Sequence, residues 1–304
     1  MTRFFTSAIL LAALPLVAAD KKKDPNEIGD RDVSKGLNRF TLEQELALGR
    51  QLSIEVRKQA RLVDDFTITE YVNRVGQNLA RNSDVTFPVS FTVIESDDIG
   101  AFTLPGGYIF VNTGVLKLSD NEAELASVLA HELGHAAARH ATRQATRNAL
   151  VSAGTIPLVV LGGWPGMAAR QVGNLATPMA FYHSSRAFET EADLLGVQYL
   201  WKAGYDPNAA VDMFERVESM ERKQPGSVSK LFRTHPLTPE RIAKAQKNIS
   251  ELLPGRAEYV LNTSEYEAVR ARLMEITQVQ KADGPTLRRA PTLQDGQAEP
   301  PVPR

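Results

Sequence analysis

The sequence predicts an α+β fold, mainly helical with one small sheet, on three observations. Several segments place apolar residues at 3/4 spacing behind helix caps, one central stretch alternates apolar and polar residues, and glycine and proline punctuate the joins. The 304 residues are 43% hydrophobic and 23% charged, as in a globular chain and unlike a collagen, a disordered tail or a polytopic membrane protein. With 35 basic and 36 acidic residues the formal net charge is −1, so no overall positive field exists to attract nucleic acid, and no nucleic-acid partner is expected. Cysteine is absent, which removes disulfides, thiolate metal sites and cysteine nucleophiles. Any metal must be held by His, Asp or Glu.

The elements follow in chain order. Residues 1–19 carry Arg3, an interrupted apolar run and small residues ahead of Asp20, the three-part shape of a signal peptide cut after Ala19. The run is too short and broken for a span of about 20 residues, so export with no transmembrane helix in the mature chain is expected. Residues 20–38 are charged and poor in large apolar groups, and they read as a flexible leader. Thr41 with Gln44 forms a capping box for a helix to about Arg61, and Ile68, Tyr71, Val72, Val75 and Leu79 mark a second helix. Val89, Phe91 and Val93 alternate with polar residues, and Tyr108 to Val111 follows Pro105-Gly106-Gly107, which reads as strands around a turn. Ser119 with Glu122 suggests another capping box, for a helix to about Asn148. Gly154 to Pro178 is expected to be a long loop. Helices are then predicted over Ser184 to Ala203, stopped by Gly204, about Asn208 to Arg222, and Pro239 to Leu253. The proline-rich end, 283–304, is expected to be disordered, which leaves 39–282 as one domain.

The predicted central helix carries His131-Glu132-Leu133-Gly134-His135. Helical residues four apart share a face with Cβ atoms about 6 Å apart, so two imidazoles can converge on one ion at about 2.0 to 2.1 Å. Glu132 lies about 100 degrees around the helix. From there its carboxylate reaches water on the ion without binding the metal, as a general base must. A catalytic ion also needs a third protein ligand and an open position. His140, five residues beyond His135, falls mostly off the ligand face and reads as a residue supporting a ligand from behind or lying on the surface, and His183 is expected to serve packing or hydrogen bonding. Glu189 and Asp193 are the better candidates, four apart on one predicted face: Glu189 is assigned to the metal and Asp193 to the outer N–H of a ligating imidazole, while Glu191 projects elsewhere. One zinc ion per chain, held by His131, His135 and Glu189, is the resulting expectation.

Four segments together resemble a known family. They are AFTLPGGYIFVNTG from Ala101 to Gly114, AELASVLAHELGHAAARH from Ala123 to His140, SRAFETEADLLG from Ser185 to Gly196 and THPLTPERI from Thr234 to Ile242. Over Thr41 to Leu253 the chain is similar to the zinc metallopeptidases of the HtpX and CAAX prenyl protease type, family forty-eight within the gluzincins. The resemblance implies a zincin-like metalloprotease domain with His131, His135 and Glu189 on zinc, Glu132 as base, and the sheet edge Ala101, Phe102, Thr103 and Leu104 pairing with substrate. Gly100 stands before that edge where relatives often carry Asn. Strand addition reads a polypeptide mainly through main-chain hydrogen bonds, which favours unfolded or extended substrates. Lacking the membrane helices of the HtpX type, the sequence looks like the soluble exported BepA-like branch without its tetratricopeptide domain. That implies a periplasmic protein, peripheral to the outer membrane, with outer-membrane proteins or their assembly machinery as partners.

In the matched THPLTPERI segment, Arg241 or His235 is available to support negative charge developing on the reacting carbonyl. His235 has two further readings, a fourth ligand that holds the enzyme latent and a helix-capping His-Pro turn. The expected reaction is peptide-bond hydrolysis by a zinc metalloendopeptidase acting in protein quality control. The first rival is a non-proteolytic, zinc-braced chaperone or assembly factor, against which an intact Glu132 argues. The second, an anchored peptidase for lipidated peptides, is disfavoured by the missing membrane helices.

Overall fold

The computed structural model describes residues 21–151, 185–223, 235 and 238–282. The segment 1–19, the stretch Gly154 to Pro178, His183 and the tail 283–304 lie outside the described residues. The α+β expectation holds, with helices dominant and one three-stranded sheet.

Helix α1 (Leu42–Gln59) starts at the expected capping box: Thr41 accepts from the Gln44 backbone, and the Gln44 side chain accepts from the Thr41 N–H. Helix α2 (Phe66–Arg81) is capped by Asp65 and buries the expected stripe from Ile68 to Leu79. Strands β1 (Ser90–Ile94), β2 (Ala101–Leu104) and β3 (Tyr108–Asn112) form a sheet in the order β1-β3-β2. The Pro105-Gly106-Gly107 turn does not join β1 to β3. It closes the antiparallel hairpin of β2 and β3, while β1 lies parallel to β3. Parallel neighbours cannot be joined by a tight turn. Gly106 and Gly107, at φ 73° and 80°, supply the left-handed backbone that the hairpin needs. Strand β2 is thereby an edge strand, packed beside the next long helix.

Ser119 does not open that helix as expected. Its hydroxyl donates to the Val115 carbonyl and ends the short α3 (Thr113–Leu118), whereas Asn121 caps α4 (Glu122–Ala137) by accepting from the Glu124 N–H. Helix α4 also stops at Ala137 instead of running to Asn148: Arg139 turns left-handed at φ 55°, and α5 (His140–Val151) starts afresh. That backbone region is uncommon for a residue with a side chain. Here the guanidinium anchors it, meeting Glu45 Oε2 at 2.6 Å and the Phe40 carbonyl at 2.9 Å. Helix α6 (Arg186–Ala203) runs from its Ser185 cap to Gly204, left-handed at φ 93°. Helices α7 (Ala209–Lys223) and α8 (Pro239–Leu252) match the remaining patterns. Helix α9 (Ser264–Ala282), which the sequence reading did not separate, packs on α2 and α3 and buries Tyr266, Val269 and Leu273.

The core is built around α4, whose Leu125, Ala126, Leu129, Ala130 and Leu133 are buried among β2, α2, α6 and α7. A helix apolar nearly all round belongs in an interior. Helix α6 crosses it closely at two glycines: a Cβ on Gly134 would stand 3.0 Å from the Ala192 carbonyl oxygen, and one on Gly196 3.2 Å from the His131 backbone. Residues 21–38, expected to be a flexible leader, are packed instead. Ile28 and Val33 join the core, and buried Arg31 meets Asp84 at 2.9 Å with Gln198 and Tyr199 of α6 in the same network. Such a guanidinium is stable inside only when paired this fully.

Candidate metal centre

Helix α4 presents His131 and His135 one turn apart, with their Nε2 atoms 3.1 Å from each other. The Ser185 cap starts α6 so that Glu189 falls in its first turn, against α4. Its carboxylate oxygens lie 3.5 Å from Nε2 of His131 and 3.5 Å from Nε2 of His135. His235 arrives from beyond α7, with Nδ1 3.0 and 3.1 Å from the Glu189 oxygens and 3.5 Å from His131 Nε2. One donor atom from each of these four residues lies within 4.8 Å of the others. A tetrahedral ion with bonds of about 2.0 to 2.1 Å holds its donors about 3.3 Å apart. The separations of 3.0 to 3.5 Å bracket that edge. Three imidazoles and a carboxylate, with no thiolate, suit zinc.

Glu132 stays outside the donor set. Its buried carboxylate accepts from the Thr103 hydroxyl at 2.7 Å, and Oε1 lies 3.4 Å from His235 Nε2. Asp193 meets Arg241 through two bonds of 2.7 Å, and its Oδ1 lies 3.0 Å from His131 Nδ1, close but not aligned as a formed hydrogen bond. Arg241 also stands 3.2 Å from Glu189 Oε2 and 3.4 Å from the His235 carbonyl. Arg241, one of the two candidates for supporting the reacting carbonyl, grips Asp193 with its planar fork. A cavity walled by Val128, Val197, Ala210, Met213, Phe214 and Val217 adjoins His131 and Glu132.

Burial opposes charge across the cluster, and partners decide the outcome. Burial would lower the His131 pKa, but Asp193 and Glu189 raise it to about 10. For His135 burial prevails over Glu189 and, with the His131, His140 and His235 imidazoles, pushes the pKa well down. A neutral ring with a lone pair to give results. Burial works against a charge on Glu189 too, yet His235, His135 and His131 hold it well below the carboxylate range. Asp193 is lowered likewise, burial being outweighed by Arg241 and His131.

Glu191 escaped the sequence reading. Taken to project elsewhere, it accepts at 3.0 Å from His140, whose other nitrogen lies 3.0 Å from His135. His140 stands behind His135 and outside the donor set, and the helix break at Arg139 puts it there.

Residues 68–249 match the sequence profile of Peptidase family M48. The chain belongs to this family. Among its relatives, the beta-barrel assembly-enhancing protease of Escherichia coli is 30% identical over 258 residues, which cover 81% of this chain and 52% of that protein. The mitochondrial metalloendopeptidase OMA1 of Schizosaccharomyces pombe is 33% identical over 184 residues, 60% of this chain and 53% of that one. The metalloprotease LoiP of Escherichia coli is 28% identical over 185 residues, 60% of this chain and 69% of that one. The chain spans about half the length of the first curated relatives it matches, 57% and 52%. M48 peptidases are zinc metalloproteases, and in this member His131, His135, Glu189 and His235 can hold one such ion. Among the described residues no helix is long and apolar enough to cross a membrane.

Proposed function

We propose that this M48 protein is a zinc metalloendopeptidase that cuts extended segments of unfolded or misassembled proteins, and that it works in the periplasm. Residues 1–19 are read as the export signal. The name of the Escherichia coli relative, a beta-barrel assembly-enhancing protease, motivates outer-membrane proteins or their assembly machinery as partners.

The observation that carries the reading is the place of Glu132, a buried carboxylate beside the donor set but not in it. When bound, zinc polarises a peptide carbonyl and makes water a nucleophile near neutral pH. Glu132 takes the proton of the attacking water and returns it to the leaving amine, held for this by the Thr103 hydroxyl at 2.7 Å. Thr103 lies on β2, so the strand that would receive substrate backbone, Ala101 to Leu104, is tied directly to the base. The neighbouring apolar cavity suits an apolar side chain next to the scissile bond.

His235 fills the corner that a catalytic ion keeps open, and we read it as a restraint that keeps the resting enzyme latent. The same closed set of four donors is what favours the rival reading, a zinc-braced chaperone. That rival leaves the buried carboxylate of Glu132 without purpose, at a cost in desolvation.

Zinc content and casein hydrolysis, measured on the parent, Glu132→Gln and His235→Ala, test the reading. We expect one zinc per chain in all three and hydrolysis at least about a hundredfold lower in Glu132→Gln. Zinc-loaded protein that leaves casein intact even as His235→Ala would hand the case to the chaperone.

A further inference from the structure

We propose that His140 and Glu191 form a relay that positions the ligand His135, and that Lys22 of the amino-terminal segment closes it. The inference rests on the reading of His135 as a metal ligand.

The chain of contacts is continuous. His140 Nδ1 lies 3.0 Å from His135 Nδ1, and His140 Nε2 lies 3.0 Å from Glu191 Oε2. Glu191 in turn accepts from Lys22 Nζ at 2.5 Å and from Arg143 Nη1 at 3.3 Å. The His140 ring is also held in plane, stacked on Phe188 with centroids 4.3 Å apart and planes 18° apart. His140 reaches this place only because the helix breaks. In an unbroken helix it would stand about 500 degrees around from His135, whereas the left-handed Arg139 folds it back.

Proton bookkeeping makes the contacts directional. His135 turns Nε2 toward the other donors, so the proton of its neutral ring stands on Nδ1. His140 Nδ1 must then accept, which puts the His140 proton on Nε2, where the Glu191 carboxylate receives it. One arrangement satisfies both pairs. Without Glu191 the His140 ring is free to take the other tautomer, which would set N–H against N–H and turn His135 away. Partners of this kind orient a ligating imidazole, and losing one typically weakens metal binding about 10- to 100-fold. Lys22 fixes the carboxylate from the far side, so residues 21–38 reach the metal ligand through three side chains.

The test is zinc affinity of the full chain by competition with a chromophoric chelator, with melting of the metal-free proteins as the check on folding. His140→Phe keeps the stack on Phe188 but offers no acceptor, Glu191→Ala removes the carboxylate, and Glu191→Gln restores an acceptor oxygen. We expect zinc about 10- to 100-fold weaker in His140→Phe and Glu191→Ala, most of the affinity regained in Glu191→Gln, and a smaller loss in Lys22→Ala. Metal-free melting midpoints should stay near that of the parent. The cobalt-loaded proteins give a second readout, a shift of the visible bands in the two weakened variants. Parent-like zinc affinity in folded Glu191→Ala overturns the relay, and parent-like affinity in Lys22→Ala overturns its closure. Should His140→Phe fail to fold, the two Glu191 variants decide alone. A parent that binds no zinc would defeat the metal reading itself, an outcome distinct from a parent that binds zinc no better than its variants.

Discussion

His235 is the residue on which latency and catalysis make opposite demands. Its Nδ1 approaches Glu189 at 3.0 Å, in line with the other donors, while its Nε2 faces Glu132 at 3.4 Å. An imidazole at the fourth corner excludes the water that Glu132 would activate. One that supports the reacting carbonyl would instead speed the reaction. The geometry favours the first, because the ring points a nitrogen at the donor cluster. We therefore expect His235→Ala to hydrolyse casein several-fold faster than the parent with unchanged zinc content, since His131, His135 and Glu189 remain. A fall of about a hundredfold with zinc retained would show that His235 supports the developing charge.

Two glycines set the distance between the elements that carry the donors. Gly134 on α4 and Gly196 on α6 let the helix backbones touch, and this close crossing brings Glu189 to both histidines. Gly196→Ala would put a methyl 3.2 Å from the His131 backbone, so the helices must part slightly. Overpacking of this kind costs about 1–3 kcal/mol. Melting of the metal-free variant should show that loss, and zinc affinity, measured separately, should also fall. A less stable variant with parent-like zinc affinity would mean that the crossing does not control the donors. What the sequence revealed at this scale was what short-range spacing controls. The Thr41 box, the α2 stripe, the His131 to His135 pair and the Gly204 stop all depend on residues within a turn or two of one another. The break at Arg139 was illegible because Glu45 and Phe40, remote in the chain, enforce it. The parallel pairing of β1 with β3 is equally non-local. Ser119 misled because Asn121 offers a rival cap within the same turn.

For the molecule as a whole, the ion would join α4, α6 and the His235 segment at one point, and its hold should depend on pH. In the metal-free chain burial disfavours a charged His131, but Asp193 and Glu189 raise its pKa to about 10. The ring is protonated at neutral pH, and zinc must displace that proton. An unfolded histidine titrates near about 6.5. Because the folded value is the higher one, this pairing stabilises the metal-free fold fully below about 6.5 and is lost as pH rises through about 10. The same proton competes with zinc, so zinc binding strengthens over that window. Both effects act in one direction: the melting gap between zinc-loaded and chelated protein should widen from pH 6 to pH 9. Zinc at a thousandfold over its dissociation constant adds about 4 kcal/mol, or roughly 2–4 °C for each kcal/mol in a domain of this size. Scanning calorimetry with and without chelator at three pH values would measure the gap, and calorimetric titration in buffers of different ionisation enthalpy should count about one proton released per zinc at neutral pH. A gap that narrows with rising pH, with no proton released, would mean that the Asp193 and Glu189 carboxylates do not hold His131 in its charged form.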